Sequence, residues 1–520
     1  MGGACPWSRA DLFSCLSLAS AKTSCPGPPQ GTRYATVPRQ VESRRDLLRD
    51  ESGRISSGAP ALVALAYPSP YHVAMSSLGF QTIYRAIQQC GTFSCERFVA
   101  PDRAIDWNDP PRPVSIESAR ALSDFPVIAL SVAYELEIAG LAGLLHAAGI
   151  PPLRRQRDPR TPLVIAGGPL TFSNPLPLGA FVDAIVMGEA DGLAVDALRA
   201  ALGSEDRDGQ LRALAALPNV IVPAIHGDSL RPLCQCDDEL LPAWAPIQTP
   251  HTELRNMFLI EVVRGCSRGC HYCVMRRSTN CGMRVIPIER ILERIPQDAR
   301  RIGLVGASVS DHPKVADLVE QLADRGAQVG LSSLRPDRMS ERMVAALKRA
   351  GYRTLTAAMD GASERLRKAV DRRTTEQHLL RVAERARACG IERLKLYLMV
   401  GLPTETDDDI EECAHFVRGL SRTLPISLGI SPFCPKRNTP LADAPFAGAR
   451  VIEHRLSLLR SRVKGRADVR ATSTRWAWVE AVLARGGPDE GQAVLEALQE
   501  GGSFASYRRA FEGLGHSMES

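Results

Sequence analysis

The sequence predicts an α/β protein: a doubly wound N-terminal domain, then a partial (β/α)6 barrel, then a small helical C-terminal region. Three observations carry that reading. Two long stretches alternate short apolar runs of strand length with runs of helical spacing, the pattern of parallel sheets with crossovers. A proline-rich piece, "LLPAWAPIQTP", lies between those stretches. Past the second stretch the pattern turns helical, with glycines as punctuation.

Residues 1–45 are rich in Pro, Gly, Ser, Arg and Cys and keep no periodicity, so a disordered extension is expected there. The first domain is expected over 46–235. "ALVALAYP" (61–68) reads as a buried strand and "MSSLGFQTIYRAIQQ" (75–89) as a helix. "SCERFVAP", "PVIALSVAYE", "PLVIAGGP" and "VDAIVMGEAD" read as further strands, and "IAGLAGLLHAAGI" as a helix. A ligand crevice in such a domain lies at the carboxyl ends of the strands. Residues 236–255 are a linker. The barrel is expected over 256–440, with strands at 258–264, 301–306, 327–333, 353–359, 393–400 and 426–431 separated by helical segments. The remainder, 441–520, reads as helices.

Bulk properties narrow the function classes. The 520 residues are 44% apolar and 23% charged, ordinary for a chain with substantial cores. The net charge of +6 is small and no basic tract stands out, so nucleic acid is not indicated. No apolar run approaches the roughly 18–20 residues of a membrane span. The 14 cysteines do not form an even disulfide framework, and no clean secretory pattern opens the chain. A cytoplasmic protein with metal-binding or catalytic cysteines is expected.

The stretch "EVVRGCSRGCHYCVM" sets Cys266, Cys270 and Cys273 on a C-x3-C-x2-C spacing. It follows the first strand of the barrel set, where a barrel places its active site. Thiolates hold zinc or iron–sulfur clusters. A structural zinc closes with four ligands, and Cys281, Cys234 or Cys236 would have to supply the fourth. A 4Fe-4S cluster tied by three cysteines instead leaves one iron open for an external ligand. His271, inside the motif, is read as a spacer. The pair Cys234-x-Cys236 is read as structural or incidental.

The cysteine spacing, with Tyr272 before the last cysteine, resembles the radical S-adenosylmethionine (SAM) superfamily. The resemblance implies that Cys266, Cys270 and Cys273 bind a 4Fe-4S cluster whose open iron chelates SAM, and that an electron from the cluster cleaves it to a radical. Other segments agree. "GLVGASVSDHP" (303–313) follows the second barrel strand, where the superfamily approaches the amino group of SAM, and Gly306, Ala307 and Ser308 match by position. The segment departs from the common Gly-Gly-Glu form. "MDGASERLR" (359–367) resembles a segment of related proteins, so Ser363 and Arg365 become candidates for ribose and carboxylate contacts. Asp360 stands there in place of the usual Glu. "LYLMVGLPTET" (396–406), with Gly401, resembles the fifth-strand segment beside adenine; by composition it is also a strand end, a turn and an acidic helix start.

"YPSPYHVAMSSLGFQTIYRAI", "PLVIAGGPLTFSNPLPLGAFVDAIVMGEAD" and "SPFCPKRNTPLADAPF" resemble one branch of that superfamily, which carries a cobalamin-binding-type domain ahead of the barrel. The D-x-H-x-x-G motif of base-off binders is absent, although "SPYHVAMSSLG" contains His72 and Gly79. Gly167 and Gly168 either bring backbone close to a nucleotide tail or end a strand in a tight turn. Two readings of the domain therefore stay open: a cobalamin site, or a domain that only shapes the substrate pocket. Cobalamin would make methyl transfer the leading reaction; without it, hydrogen abstraction or rearrangement. A cluster protein without catalysis is a third reading. The resemblance also implies a low-potential donor of flavodoxin or ferredoxin type. The substrate, a small molecule or a peptide, is unknown.

Overall fold

Ala61–Tyr67 (β1) forms a strand whose last five residues are all buried, as a central strand of a parallel sheet requires. The computed structural model describes residues 44–102, 105–275, 282–332 and 334–519. The extension expected over 1–45 lies almost wholly outside the described residues, as does Cys281. The described residues divide into two units. One holds residues 44–258 and Val482–His516, the other Leu259–Ala481 and 517–519.

In the first unit, β1 joins β2 (Phe93–Val99), β3 (Val127–Ser131), β4 (Leu163–Gly167), β5 (Ala184–Val186) and β6 (Val220–Ile221). The sheet order is β2-β1-β3-β4-β5-β6. All pairs are parallel except β5 with β6. The order reverses between β1 and β3, so the switch point of this doubly wound sheet lies at the exits of those two strands. Ser77 caps the helix Leu78–Gln89 by accepting the Phe80 N–H at 3.3 Å. The C-terminal helices Pro488–Gln499 and Phe504–Gly513 belong to this unit. There Asn174 Nδ2 donates to the carbonyls of Leu483 and Gly486, both at 2.8 Å.

The second unit carries β7 (Phe258–Glu261), β8 (Val263–Gly265), β9 (Met283–Val285), β10 (Arg301–Val305), β11 (Gln328–Leu331), β12 (Thr354–Asp360), β13 (Arg393–Val400), β14 (Ile426–Pro432) and β15 (Ala467–Ala471). One sheet runs β11-β10-β7 and another β12-β13-β14-β15. A parallel bridge between Leu334 and Ala357 links them into one curved wall. All six expected barrel strands are present, and β15 from the tail adds a seventh, parallel to β14.

The run expected as a single strand over 258–264 divides at Val262. The Val262 N–H donates to Val305 O at 3.0 Å in the barrel wall. The next three residues turn away as β8 and pair antiparallel with β9, Gly265 opposite Met283. Apolar periodicity is the same on both sides of the division; the tertiary partner decides where each half goes.

A fully buried guanidinium holds the outer strands of the first sheet to the chain before it. Arg97 donates to both oxygens of Glu51, each at 2.8 Å, and to Glu117 at 2.6 Å. Tyr71 donates to the same Glu51 at 2.6 Å. Removing one partner of such a group strands the other in the core. Arg97→Leu is expected to destabilise the first unit by about 3–5 kcal/mol, read as a lowered urea midpoint with an unchanged slope.

Candidate active site

The cysteine loop leaves the end of β8. Gly265, at φ 82°, makes a turn that an L side chain resists, and the Cys266 N–H then donates to Gly282 O at 3.1 Å. The first cysteine is thus fixed by the base of the β8–β9 ribbon. Within the loop the Cys273 N–H donates to Cys270 O at 3.2 Å.

The barrel grips this loop from two sides. On one side Ser267 donates to Asp311 at 3.0 Å and Arg268 to Asp337 at 2.7 Å. Asp311 ends the short turn after β10, and Asp337 lies in the turn after β11. Arg335, 5% exposed, joins the two acids by donating to both. On the other side the His271 N–H donates to Val370 O at 3.0 Å, and the Cys270 thiol points at Asp371 O, 3.7 Å away. Tyr272 donates to Asp360 Oδ2 at 2.7 Å, and Arg372 Nε lies 2.6 Å from the same oxygen. Asp360 and Arg372 are 5% and 7% exposed.

Burial pushes the Cys273 thiol up to about 12, with Cys270 and Cys266 adding to the rise. Burial also raises Cys270, against the opposing pull of Arg372. Burial and the Asp360 charge hold the Tyr272 phenol well above its ordinary value, so it stays a donor. None of the three cysteines is in a disulfide. Among the described residues no three His, Cys, Asp or Glu side chains gather closely enough for a single metal ion. Three cysteines on one pinned loop are a donor set for an iron–sulfur cluster. Cys234 and Cys236 are in the first unit: Cys234 exchanges backbone bonds with Met187 and Glu189, and the Cys236 N–H donates to Glu189 at 3.0 Å.

The remaining barrel candidates fall into two groups. Gly306, Ala307 and Ser308 follow β10 beside the cysteine loop. A Cβ on Gly306 would meet both the carbonyl oxygen and Cγ2 of Val263 at 2.7 Å, so no larger residue fits. Ser308 is buried, with its hydroxyl 3.4 Å from Gly265 O, one residue before Cys266. Ala307 is half-buried. Ser363, Arg365 and Gly401 surround a second set of acids. Ser363 caps the helix Glu364–Ala369, and its hydroxyl donates to Asp409 at 2.5 Å. Arg365 bonds the same carboxylate and Thr404 O, with about half of its side chain exposed. Gly401, at φ 91°, donates its N–H to Glu405 at 2.6 Å. The helix Asp407–Leu420 begins just beyond, as the acidic run predicts. The Asp360–Arg372 pair went unread, because "VDRRTT" shows only a charged loop.

The family model described as "Radical SAM proteins, N-terminal" matches residues 79–223, and that of the "Radical SAM superfamily" matches 260–417. The chain belongs to the radical SAM superfamily. Membership makes it an enzyme and implies a 4Fe-4S cluster and SAM as cofactors. An uncharacterized protein of Methanocaldococcus jannaschii is 28% identical over 334 residues, covering 62% of this chain and 70% of that one. The ribosomal protein uS12 methylthiotransferase RimO of Geobacter sulfurreducens is 25% identical over 257 residues. That match covers 46% of this chain and only 56% of RimO. Among solved structures, the radical SAM methyltransferase TsrM from Kitasatospora setae, with cobalamin and a 4Fe-4S cluster bound, shares the fold at a TM-score of 0.57. That likeness, at 13% identity, spans 87% of this chain and 99% of TsrM. Among the described residues no helix is long and apolar enough to cross a membrane.

In the first unit of this radical SAM enzyme, the switch point is bridged by a carboxyl group. Glu137 accepts from Ser69, after β1, at 2.9 Å and from the Ala133 N–H, after β3, at 2.6 Å. Gly168, at φ 104°, directly follows β4, and a Cβ there would lie 2.7 Å from Val132 O. The Gly167 carbonyl accepts from the Val132 N–H at 2.8 Å. These two glycines thus allow the exits of β3 and β4 to touch backbone to backbone. His72 faces Asp102 at 3.5 Å.

Burial pushes Glu137 up to about 7, from an ordinary 4.5. A carboxyl whose folded value is raised favours the native state when protonated, so its contribution is lost as pH rises from about 4.5 to about 7. The wild type is expected to lose about 3 kcal/mol relative to Glu137→Gln across that window. Urea unfolding of both proteins at pH 4.5 and pH 8 checks this.

Proposed function

We propose that Cys266, Cys270 and Cys273 hold the 4Fe-4S cluster with one iron open to SAM. We further propose that the reaction is cobalamin-dependent methyl transfer to an unactivated carbon of a small molecule or peptide. The observation that carries the first half is the pinned three-cysteine loop at the carboxyl end of the barrel strands. The doubly wound first unit, with a switch point at β1 and β3 and the fold of a cobalamin-containing methyltransferase, supports the second.

When bound, the reduced cluster supplies the electron that splits SAM into methionine and a 5′-deoxyadenosyl radical, and cobalamin supplies the methyl carrier. The chain's own residues orient and shield. Tyr272 keeps the loop seated by donating to Asp360. Gly306 leaves room for two backbones beside the loop, and Ala307 and Ser308 form the edge that the SAM amino group approaches. Arg365 spends most of its N–H groups on Asp409 and Thr404 and leaves one Nη1 N–H for a carboxylate, while Ser363 holds Arg365 in place through Asp409. Gly401 turns the chain beside the adenine position. Gly167 and Gly168, both half-buried, set strand-end backbone where a nucleotide tail would approach. A low-potential flavodoxin or ferredoxin supplies the electron.

One observation favours a second reading, in which the first unit holds no corrinoid and the radical acts directly on substrate. The backbone of Val132 already occupies the open side of Gly168, so a tight turn accounts for that glycine without a ligand.

Anaerobic reconstitution separates these readings. Wild type is expected to bind about four irons per chain, to form 5′-deoxyadenosine with dithionite, and to retain added hydroxocobalamin through gel filtration. Cys266→Ala, Cys270→Ala and Cys273→Ala are each expected to drop 5′-deoxyadenosine to background. Full iron and cleavage in those variants would sink the cluster assignment. Cleavage by a protein that retains no corrinoid would overturn methyl transfer and favour the second reading.

A further inference from the structure

The tie between Tyr272, Asp360 and Arg372 is built from charges where none is needed for anchoring. Asp360 is the last residue of β12, at φ 65°, and the register with β13 slips between Ala358 and Asp360. Such an irregularity re-aims a side chain at a strand end. It delivers one carboxylate oxygen to the Tyr272 hydroxyl at 2.7 Å and to Arg372 at 2.6 Å. The guanidinium also donates to Ala358 O at 3.2 Å, and the carbonyl of Asp371, the residue just before it, lies 3.7 Å from the Cys270 sulfur, so the cation sits against the cysteine loop. The segment carrying Arg372 is itself bent to reach the loop: Asp371 and Arg373, on either side, have φ 51° and 57°.

Backbone bonds from His271 to Val370 and from Cys273 to Cys270 already seat the loop. A buried ion pair is a poor way to add stability, since desolvation cancels most of its attraction. Its value lies in placing one buried cation beside the cysteine loop. Charge and hydrogen bonds at the ligating sulfurs are two of the levers that set an iron–sulfur potential.

We infer that Arg372 is a positioning residue that raises the reduction potential of the cluster by holding its charge beside the cysteine loop, and that Asp360 offsets part of that charge. The inference rests on the reading that these cysteines hold the cluster. The step concerned is a one-electron reduction: the low-potential donor gives one electron, the cluster gains one negative charge, and no bond breaks. A cation beside Cys270 favours that added charge.

The test is a spectroelectrochemical titration of the reconstituted protein, with iron content measured first. Arg372→Gln is expected to lower the reduced-to-oxidised ratio about tenfold at a fixed potential, a downward shift of about 59 mV for one electron. Asp360→Asn leaves the guanidinium uncompensated and is expected to move the ratio the other way. Arg372→Lys keeps the charge and is expected to restore most of the wild-type value. Shifts of the same sign in Arg372→Gln and Asp360→Asn, or no shift in either, overturn the inference. So does loss of iron from all three variants, which would mark the pair as purely structural. If the wild type itself takes up no cluster, the failure lies with the cysteine assignment, and the inference falls with it.

Discussion

One buried carboxylate organises the cysteine loop. Asp360 stands at the end of β12, in a backbone conformation that asparagine and aspartate tolerate better than most side chains. Its Oδ2 meets Tyr272 and Arg372 at once. Tyr272 lies between Cys270 and Cys273, so fixing the phenol fixes the span holding two of the three thiols. The opposite end of the loop is held by Ser267 and Arg268 through Asp311 and Asp337. At the Tyr272 end the loop cannot move without breaking its bond to the buried Asp360, which would strand a polar group, whereas the Ser267 bond at the other end is exposed.

Carboxylates recur as brackets elsewhere. Asp409 gathers Ser363 and Arg365 after β12 with the helix start after β13. Glu405 joins the Gly401 turn to Arg455. In the first unit Glu137 spans the exits of β1 and β3. All lie on the carboxyl-end side of their sheets, where loops from different strands converge and backbone N–H groups lose their ladder partners. An acceptor with two oxygens is the economical answer to two converging donors. Burial then raises Glu137 and Glu405 to about 7, because neither has enough cationic company to offset desolvation.

The strands were legible where burial imposes a strong local pattern. "ALVALAY" and "RLKLYLMV" are apolar enough that no tertiary knowledge is needed, and the cysteine loop announces itself by spacing. β15 was hidden because "ADVRA" is a half-exposed strand whose period is carried by charged residues. The division at Val262 was hidden because β8 exists only by pairing with β9. Ser363 and Arg365 were singled out by resemblance, yet the carboxylate that binds them is more than forty residues away in sequence, and composition cannot see such a partner. Arg372 was unread for the same reason. Its meaning comes from the groups it faces, and a sequence gives only its neighbours.

The high thiol values give the pinned loop a second consequence. Burial favours the protonated form of Cys270 and Cys273, so on the proposed cluster assignment iron would displace protons as it binds. A flexible loop would add the entropy of ordering to that cost. Here the ordering is completed by protein–protein bonds: the Cys266 N–H on Gly282, the His271 N–H on Val370, and the Tyr272 hydroxyl on Asp360. Arg372 works in the same direction by favouring the Cys270 thiolate. On the proposed cluster assignment, assembly and redox behaviour would draw on one guanidinium: the charge that eases loss of the Cys270 proton before the cluster forms would also favour the added electron afterwards.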